Sequence, residues 1–140
     1  GWSLSTTMKP IDTSIVAFQK ALFKRPLSDK DQLTFHSDRG TQYTCKDFVA
    51  LLKERKQIVQ SMSGKGRCYD NAVAESFFKT LKNELVYQTR YLTNKDAVES
   101  ISDYIENYYN ITRRHSALGN LTIEEFHKLL SSQNKNILRD

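Results

Sequence analysis

The order in which the hydrophobic pattern changes along the chain restricts its fold more than any other feature. Short stretches in which apolar and polar residues alternate, typical of half-buried strands, are separated by stretches with helical spacing. Strands are predicted at residues 1–5, 33–37 and 58–62, with helices between them and only helices after them. A chain that alternates strands and helices in this way folds as an α/β unit. The sequence therefore predicts a small sheet flanked by helices and followed by a helical extension.

Five helices are predicted from apolar residues that recur every three or four positions. We expect these helices to begin near Ile11, Thr44, Asn71, Asn94 and Thr122. Pro26 ends the first of them, because proline cannot continue a helix. Thr44 with Asp47, and Thr122 with Glu125, have the spacing of capping boxes, in which each residue satisfies a free N–H of the other.

The first predicted strand begins at residue 1. Trp2 and Leu4 would lie on one of its faces, and no cap or turn precedes them. We therefore expect the natural polypeptide to continue upstream of Gly1.

Composition adds weaker constraints. The 140 residues carry 21 Lys and Arg against 16 Asp and Glu, a net charge of +5, which weakly favours a polyanionic partner. Cys45 and Cys68 form no Cys-x-x-Cys pair, and we expect both to be reduced thiols. No stretch approaches the roughly 18 apolar residues of a membrane span. These features predict a soluble, cytoplasmic protein that does not bind membranes.

Two carboxylates are placed where chemistry would be expected. Asp38 follows the second predicted strand, and open α/β sheets gather ligand and catalytic groups at such strand ends. Glu75 lies in the first turns of the long helix and shares a polar stripe with Lys79 and Lys82. The opposite arc is apolar and would pack on the sheet; it comprises Val73, Phe77, Leu81 and Leu85.

Each of these carboxylates also has a structural interpretation. Glu75 and Lys79 could form an ordinary i,i+4 pair on a solvated helix face. Asp38, followed by Arg39 and Gly40, could be a turn residue. The residue pattern alone leaves both alternatives open.

Three separate blocks carry a resemblance to a known family. FHSDRGTQYT at 35–44, QSMSGKGRCYDNAVAESFFKTLKNEL at 60–85 and YNITRRHSAL at 109–118 follow one another in order. Together they resemble the integrase core of bacterial insertion-sequence transposases of the OrfB type, over residues 1–130. The resemblance implies a ribonuclease-H-like fold, with residues 1–90 as a partial catalytic core and residues 91–140 as its helical extension.

The resemblance also implies an Asp-Asp-Glu (DDE) triad that holds two Mg²⁺ or Mn²⁺ ions. Asp38 matches the second aspartate of the family and Glu75 matches its glutamate. One additional residue separates them, and we expect the turn at residues 53–57 to absorb it. The first aspartate of the family would lie upstream of Gly1. We therefore expect an N-terminally truncated enzyme that is inactive alone.

Basic residues that match or flank these motifs predict a DNA-binding surface. Lys79 and Lys82 match basic positions of the family and would hold phosphates. Lys65 and Arg67 lie in a Gly-flanked loop that could close over the DNA end or be idle. Basic residues interleaved with aromatics suit phosphate contact and stacking, although the arginines could instead complement a helix C-terminus; the group is Arg113, Arg114 and His115.

The leading hypothesis is therefore metal-dependent cleavage and strand transfer of DNA during transposition. The alternatives are a non-catalytic DNA-binding remnant and a plain helical interaction module. The expected partners are transposon ends and target DNA, in the bacterial cytoplasm at the nucleoid. An unpaired sheet edge also predicts homo-oligomers.

Overall fold

A computed structural model describes residues 1–64 and 68–137, without the side chains of residues 68–69 and 133–137. The chain divides into two compact units, Gly1–Lys79 and Thr80–Asp140. The predicted division into 1–90 and 91–140 concerns the family's catalytic domain and stays a prediction. No described helix is both long and apolar enough to cross a membrane.

The strands of the first unit are β1 (Leu33–Ser37) and β2 (Ile58–Met62), with the bounds predicted from the sequence. They pair in parallel, and His36 lies opposite Ser61. Parallel strands need a long crossover connection; here it contains two helices, Thr41–Thr44 and Lys46–Lys53. The α-helices described are α1 (Ser14–Lys24), α2 (Thr41–Thr44), α3 (Lys46–Lys53), α4 (Ala72–Glu84), α5 (Asn94–Asp103) and α6 (Ile123–Ile137).

The predicted strand at residues 1–5 is wrong. This segment is irregular and pairs with neither strand. It lies instead along α1, where the Nζ atom of Lys20 is 5.4 Å from the centroid of the Trp2 ring. Gly1 lies so close to the backbone at Ala17 and Ala21 that a Cβ atom would collide with it. Trp2 therefore lies against a helix and not in a sheet, while Leu4 is 45% exposed.

Aromatic rings build the core of the first unit. Phe48 is fully buried on α3, and its ring lies 5.8 Å from Phe18 of α1 and 5.2 Å from Phe35 of β1. Tyr43 of α2 adds an edge contact to Phe48 at 5.6 Å. Ile58, also buried, joins β2 to the same cluster. The rings thus fix α1 and α3 beside the sheet.

The second unit is helical. Thr93 and Asp96 form a capping box at the start of α5, and a π-helical turn, Tyr104–Tyr109, continues from its end. Ile101, Tyr104 and Ile105 are buried, as their spacing predicts. The turn before α6 needs left-handed backbone at two successive residues, Gly119 and Asn120, which glycine and asparagine adopt most readily.

The predicted capping boxes have different outcomes. Thr122 and Glu125 form theirs, with the Glu125 N–H donating to Thr122 Oγ1 at 3.1 Å and the Thr122 N–H donating to Glu125 at 2.8 Å. The box at Thr44 is wrong, because Thr44 ends α2 and its hydroxyl donates to the Gly40 carbonyl at 3.3 Å.

The predicted apolar arc of α4 is also wrong at its first member. Leu81 is buried, but the side chain of Val73 is 87% exposed. The first turn of α4 therefore does not bury its apolar side.

Candidate active site at the strand ends

Asp38 lies directly after β1, at the carboxyl end of the sheet, and its side chain is exposed. Its Oδ1 atom accepts the N–H of Gly40 at 2.8 Å. This local turn fixes the direction of the carboxylate through one oxygen. The turn interpretation and the functional one therefore both fit Asp38, since a turn bond to one oxygen does not occupy the other.

Backbone bonds join the ends of the two strands next to Asp38. The Ser63 N–H donates to the Ser37 carbonyl at 2.9 Å, one residue beyond β2. Arg39 Nε donates to the Ser63 carbonyl at 3.0 Å. Ser63 is 6% exposed and Ser37 is 4% exposed, so the bond between their main chains is shielded from water, whereas the bond from the exposed Arg39 is partly buried. The sheet edge that carries Asp38 is thereby held in one geometry.

His36 reinforces the same edge with its side chain. Its Nδ1 atom lies 2.9 Å from Ser61 Oγ, and its Nε2 atom lies 3.2 Å from Ser63 Oγ. His36 lies two residues before Asp38, which follows the end of β1. This spacing along an alternating strand is the signal from which a role of His36 at this edge could have been predicted.

Tyr43 lies close enough to Asp38 for the carboxylate charge to affect the pKa of its phenol. Burial raises the pKa of the Tyr43 phenol, and the negative charge of Asp38 raises it further. The Tyr43 carbonyl accepts Gln60 Nε2 at 3.0 Å, which joins α2 to β2. The segment after Asp38 is therefore tied to the sheet through both its ring and its backbone.

Glu75 lies in the first turn of α4 and is exposed. A 3₁₀ turn, Cys68–Asn71, leads into this helix. Within the turn, Asp70 Oδ2 accepts the N–H of Gly64 at 3.3 Å, and Gly64 directly follows Ser63. This bond links the end of β2 to the start of the helix that carries Glu75. It gives Asp70 a structural role at the helix start.

The polar stripe of α4 is open to solvent. Glu75, Lys79 and Lys82 are all exposed. Among the ion pairs of the described residues, none joins Glu75 to Lys79. Lys65 and Arg67 lie outside the described residues, so their proposed place over the DNA end stays a prediction.

The basic residues near position 114 have partners within the second unit. Arg113 donates to both oxygens of Glu84, with Nη2 at 2.9 Å from Oε1 and Nε at 3.2 Å from Oε2. Arg114 Nη1 donates to the Asn120 carbonyl at 2.9 Å. At the end of the π-helical turn, His115 Nε2 lies 3.2 Å from the Tyr109 carbonyl, and the Arg113 guanidinium lies over the Tyr109 ring, 5.6 Å from its centroid.

Glu84 is a residue that the sequence analysis missed. Tyr104 Oη also donates to it, at 2.7 Å. The hydrogen bonds from Arg113 lower the pKa of Glu84, whereas burial and then the Glu84 bond raise the pKa of Tyr104. Glu84 and Arg113 are 29 positions apart, and no local pattern signals such a pair.

The two candidate metal ligands are of the chemical type that suits a hard divalent cation. Asp38 and Glu75 offer exposed carboxylate oxygens, the ligand type that Mg²⁺ and Mn²⁺ prefer. No group of three His, Cys, Asp or Glu side chains able to hold a metal occurs within the described part of the chain. The site residues named from the sequence thus supply two carboxylates.

Comparison with known proteins agrees with the motif order. Residues 56–122 match the family model described as an integrase core domain. A 31 kDa protein of insertion element IS600 from Shigella sonnei is 45% identical over 109 residues, covering 76% of this chain and 40% of that protein. Transposase InsF for insertion sequence IS3A from Escherichia coli strain K12 is 39% identical over 137 residues, covering 98% of this chain and 44% of that protein.

The match to InsF of IS3A extends over almost the whole chain, while the chain spans less than half the length of these two relatives. Transposase InsF for insertion sequence IS3fB of the same organism is 41% identical over 128 residues, which are 90% of this chain and 42% of that protein. The chain belongs to the insertion-sequence transposases that carry an integrase core domain.

Proposed function

We propose that the chain serves DNA transposition by metal-dependent cleavage and strand transfer, with Asp38 and Glu75 as two acids of a DDE site. The observation that carries this proposal is the position of Asp38, exposed at the carboxyl end of β1. The adjoining strand end leads through the Gly64–Asp70 bond to the helix that bears Glu75. Two parallel strands with a helical crossover also fit a ribonuclease-H-like fold of which they would form part.

Mg²⁺ or Mn²⁺ would be held by the carboxylates of Asp38 and Glu75. When bound, a metal pair in such enzymes activates the attacking oxygen and stabilises the leaving oxygen of an in-line displacement at phosphorus. The residues of this chain contribute oxygen ligands and a fixed strand end. Because Asp38 is oriented by the Gly40 N–H, its free oxygen is available without rearrangement of the turn.

DNA would be bound through its phosphates. Lys79 and Lys82 lie on exposed turns of the same helix as Glu75, and ammonium groups there would position the backbone without reading its sequence. Arg113 and Arg114 already contact the carboxylates of Glu84 and Glu125, so binding phosphate would require them to share or exchange partners. We therefore assign Lys79 and Lys82 the larger part of the phosphate contact.

Metal binding by the pure chain tests the two acids. Mn²⁺ is titrated into the wild type, Asp38→Asn, Glu75→Gln and the control Asp47→Asn, and bound ion is followed by electron paramagnetic resonance. Removal of one carboxylate ligand should weaken binding by about tenfold or more. Asp47, an exposed acid in the first turn of α3, should make no difference. Equal affinity in all four proteins would refute the assignment of Asp38 and Glu75 as ligands.

Strand transfer gives a separate test. The 140-residue polypeptide presents two acids of the triad that the family uses, so we expect no joining of a terminal-repeat oligonucleotide by this polypeptide alone. Mg²⁺-dependent joining that disappears in Asp38→Asn would contradict the expected inactivity while supporting the site.

A second candidate function is DNA binding without catalysis. It is supported by the exposed Lys79 and Lys82, whose contact with phosphates would need no metal. This function predicts a steep fall of DNA affinity with salt, from phosphate contacts, together with Mn²⁺ binding that does not depend on Asp38 or Glu75. A helical interaction module would show neither property.

We also infer self-association through the sheet. β1 and β2 pair only with each other among the described strands, which leaves an outer edge of each unpaired there. A dimer or higher oligomer should appear in light scattering as the concentration rises. A constant monomer mass would contradict this inference.

With DNA as the partner, we place the protein at the nucleoid in the bacterial cytoplasm.

A further inference from the structure

Arg39 occupies an unusual position between the ends of the two strands. It directly follows Asp38, yet its side chain turns to the neighbouring strand end, where Nε donates to the Ser63 carbonyl at 3.0 Å. The residue is exposed, and no ion pair joins it to an acid within residues 1–64 and 68–137. A guanidinium has five N–H donors, and this bond uses one of them.

The acceptor of the Arg39 bond belongs to the main chain of a buried residue. This acceptor is the Ser63 carbonyl, and Ser63 is 6% exposed and bonded through its own N–H to the Ser37 carbonyl. The guanidinium is therefore held at the strand ends by the backbone. An arginine fixed in this way loses less side-chain entropy on binding a ligand than a freely moving one.

We propose that Arg39 binds a phosphate group of DNA beside Asp38, an inference that rests on the proposed DNA-processing function. The planar guanidinium fork matches two oxygens of a phosphate, and its terminal nitrogens have donors beyond the Nε anchor. Its charge would also offset the repulsion between the Asp38 carboxylate and a phosphate brought next to it. Arg39 is thus a phosphate-binding residue of the site, in addition to Lys79 and Lys82.

DNA binding as a function of salt tests this inference. Fluorescence anisotropy of a labelled short duplex is measured from low to moderate salt for the wild type, Arg39→Gln, Arg39→Lys and Arg25→Gln. Arg25 is an exposed arginine at the end of α1 and serves as the matched control. The slope of log K against log salt is negative, and loss of one phosphate contact in Arg39→Gln should make it less steep by about one. Binding at low salt should weaken about fivefold.

The lysine variant separates charge from geometry. Arg39→Lys should keep the wild-type slope but bind about two- to threefold more weakly, because an ammonium cannot make the fork. Arg25→Gln should match the wild type in both quantities. If Arg39→Gln does not fold, as its circular dichroism would reveal, the comparison between Arg39→Lys and the wild type decides.

The outcomes distinguish this inference from the function on which it rests. A wild type that binds DNA without any salt dependence would refute the phosphate-binding function itself. A wild type with a steep slope that Arg39→Gln leaves unchanged would overturn the role of Arg39 alone. Wild-type affinity in Arg39→Lys would likewise remove the argument from the guanidinium fork.

Discussion

Replacing Glu84 by glutamine should destabilise the second unit by more than its surface position suggests. The Glu84 carboxylate accepts hydrogen bonds from Arg113 and from the Tyr104 hydroxyl. Glutamine keeps the shape and one acceptor oxygen, but it removes the charge and puts an N–H₂ donor opposite a donor. Glu84→Gln therefore tests the charge of the network with little change in volume.

The expected loss lies between two limits. Breaking a fully buried ion pair costs about 3–5 kcal/mol, whereas exposed pairs contribute about 0–1 kcal/mol. The side chains of Arg113 and Glu84 are 25% and 35% exposed, so solvent screens part of their attraction. Charge-assisted hydrogen bonds are roughly twice as strong as neutral ones; the variant keeps the ionised Arg113 donor but loses the charged acceptor, and its bond from Tyr104 becomes neutral. We expect the free energy of unfolding to fall by about 1–2 kcal/mol.

Urea unfolding followed by circular dichroism measures this loss. Glu99→Gln is the matched control, because Lys95 and Glu99 form an ion pair on α5 with side chains 82% and 67% exposed. The same chemical change there should cost less than about 0.5 kcal/mol. Equal losses in Glu84→Gln and Glu99→Gln would refute the argument that partial burial gives the Glu84 network its strength.

The pH dependence checks the same reasoning independently. Because the bonds from Arg113 lower the pKa of Glu84 below its ordinary value of 4.5, the ionised carboxylate stabilises the folded state. This stabilisation is fully present above pH 4.5 and is lost as the pH falls through the lowered pKa. The difference between wild type and Glu84→Gln should therefore shrink only below pH 4.5. A difference that stays constant under acid would contradict the charge argument.

Three further predictions concern capping, core packing and ionisation. Thr122→Ala should lower the free energy of unfolding by about 1 kcal/mol in urea titration, because it removes the cap of α6. Phe48→Ala should cost about 3–5 kcal/mol, whereas Phe23→Ala, at an 89% exposed position, should cost under about 0.5 kcal/mol. Tyr43 and Tyr104 should ionise at higher pH than exposed tyrosines in an absorbance titration. Their raised pKa values favour the folded state below pH of about 10, and this contribution is lost as the pH rises further.

The alternation of apolar and polar residues predicted β1 and β2 correctly, but it also predicted a strand at residues 1–5 that the structure does not contain. The bounds of β1 and β2 agree with the alternation of apolar and polar residues. Trp2 and Leu4 also alternate, but the segment lies against α1, with the Trp2 ring next to Lys20. Two apolar residues at period two cannot distinguish a strand from an irregular segment beside a helix, and here Leu4 is 45% exposed.

The capping boxes show how a neighbouring element overrides a local signal. Thr44 and Thr122 have equivalent spacing to their acidic partners, yet only Thr122 caps a helix. Thr44 ends the four-residue α2, and its hydroxyl donates to the Gly40 carbonyl. A short motif gives the bonds that a threonine can make, and the preceding turn determines which one it makes.

The candidate site likewise has features that the sequence predicts and features that it does not. The hydrophobic pattern predicted where Asp38 and Glu75 would lie, at a strand end and in the first turns of a helix. The contacts that surround them were not predictable, because they join distant positions: Arg39 with Ser63 and Gly64 with Asp70. Such contacts depend on how the strand ends meet, which the hydrophobic pattern of either strand does not contain.

Because these contacts do not use the carboxylates of Asp38 and Glu75, substitutions of those two residues test metal binding without disturbing the strand ends. The bonds that hold the Asp38 edge involve main-chain atoms, namely the N–H groups of Ser63 and Gly64 and the carbonyls of Ser37 and Ser63. An asparagine at position 38 could still accept the Gly40 N–H through Oδ1, so the turn would survive. Glu75 is exposed and joins no ion pair within the described ranges, so glutamine there disturbs no structural contact seen. Loss of metal binding in either variant would therefore follow from the missing negative charge, because the strand ends would keep their geometry.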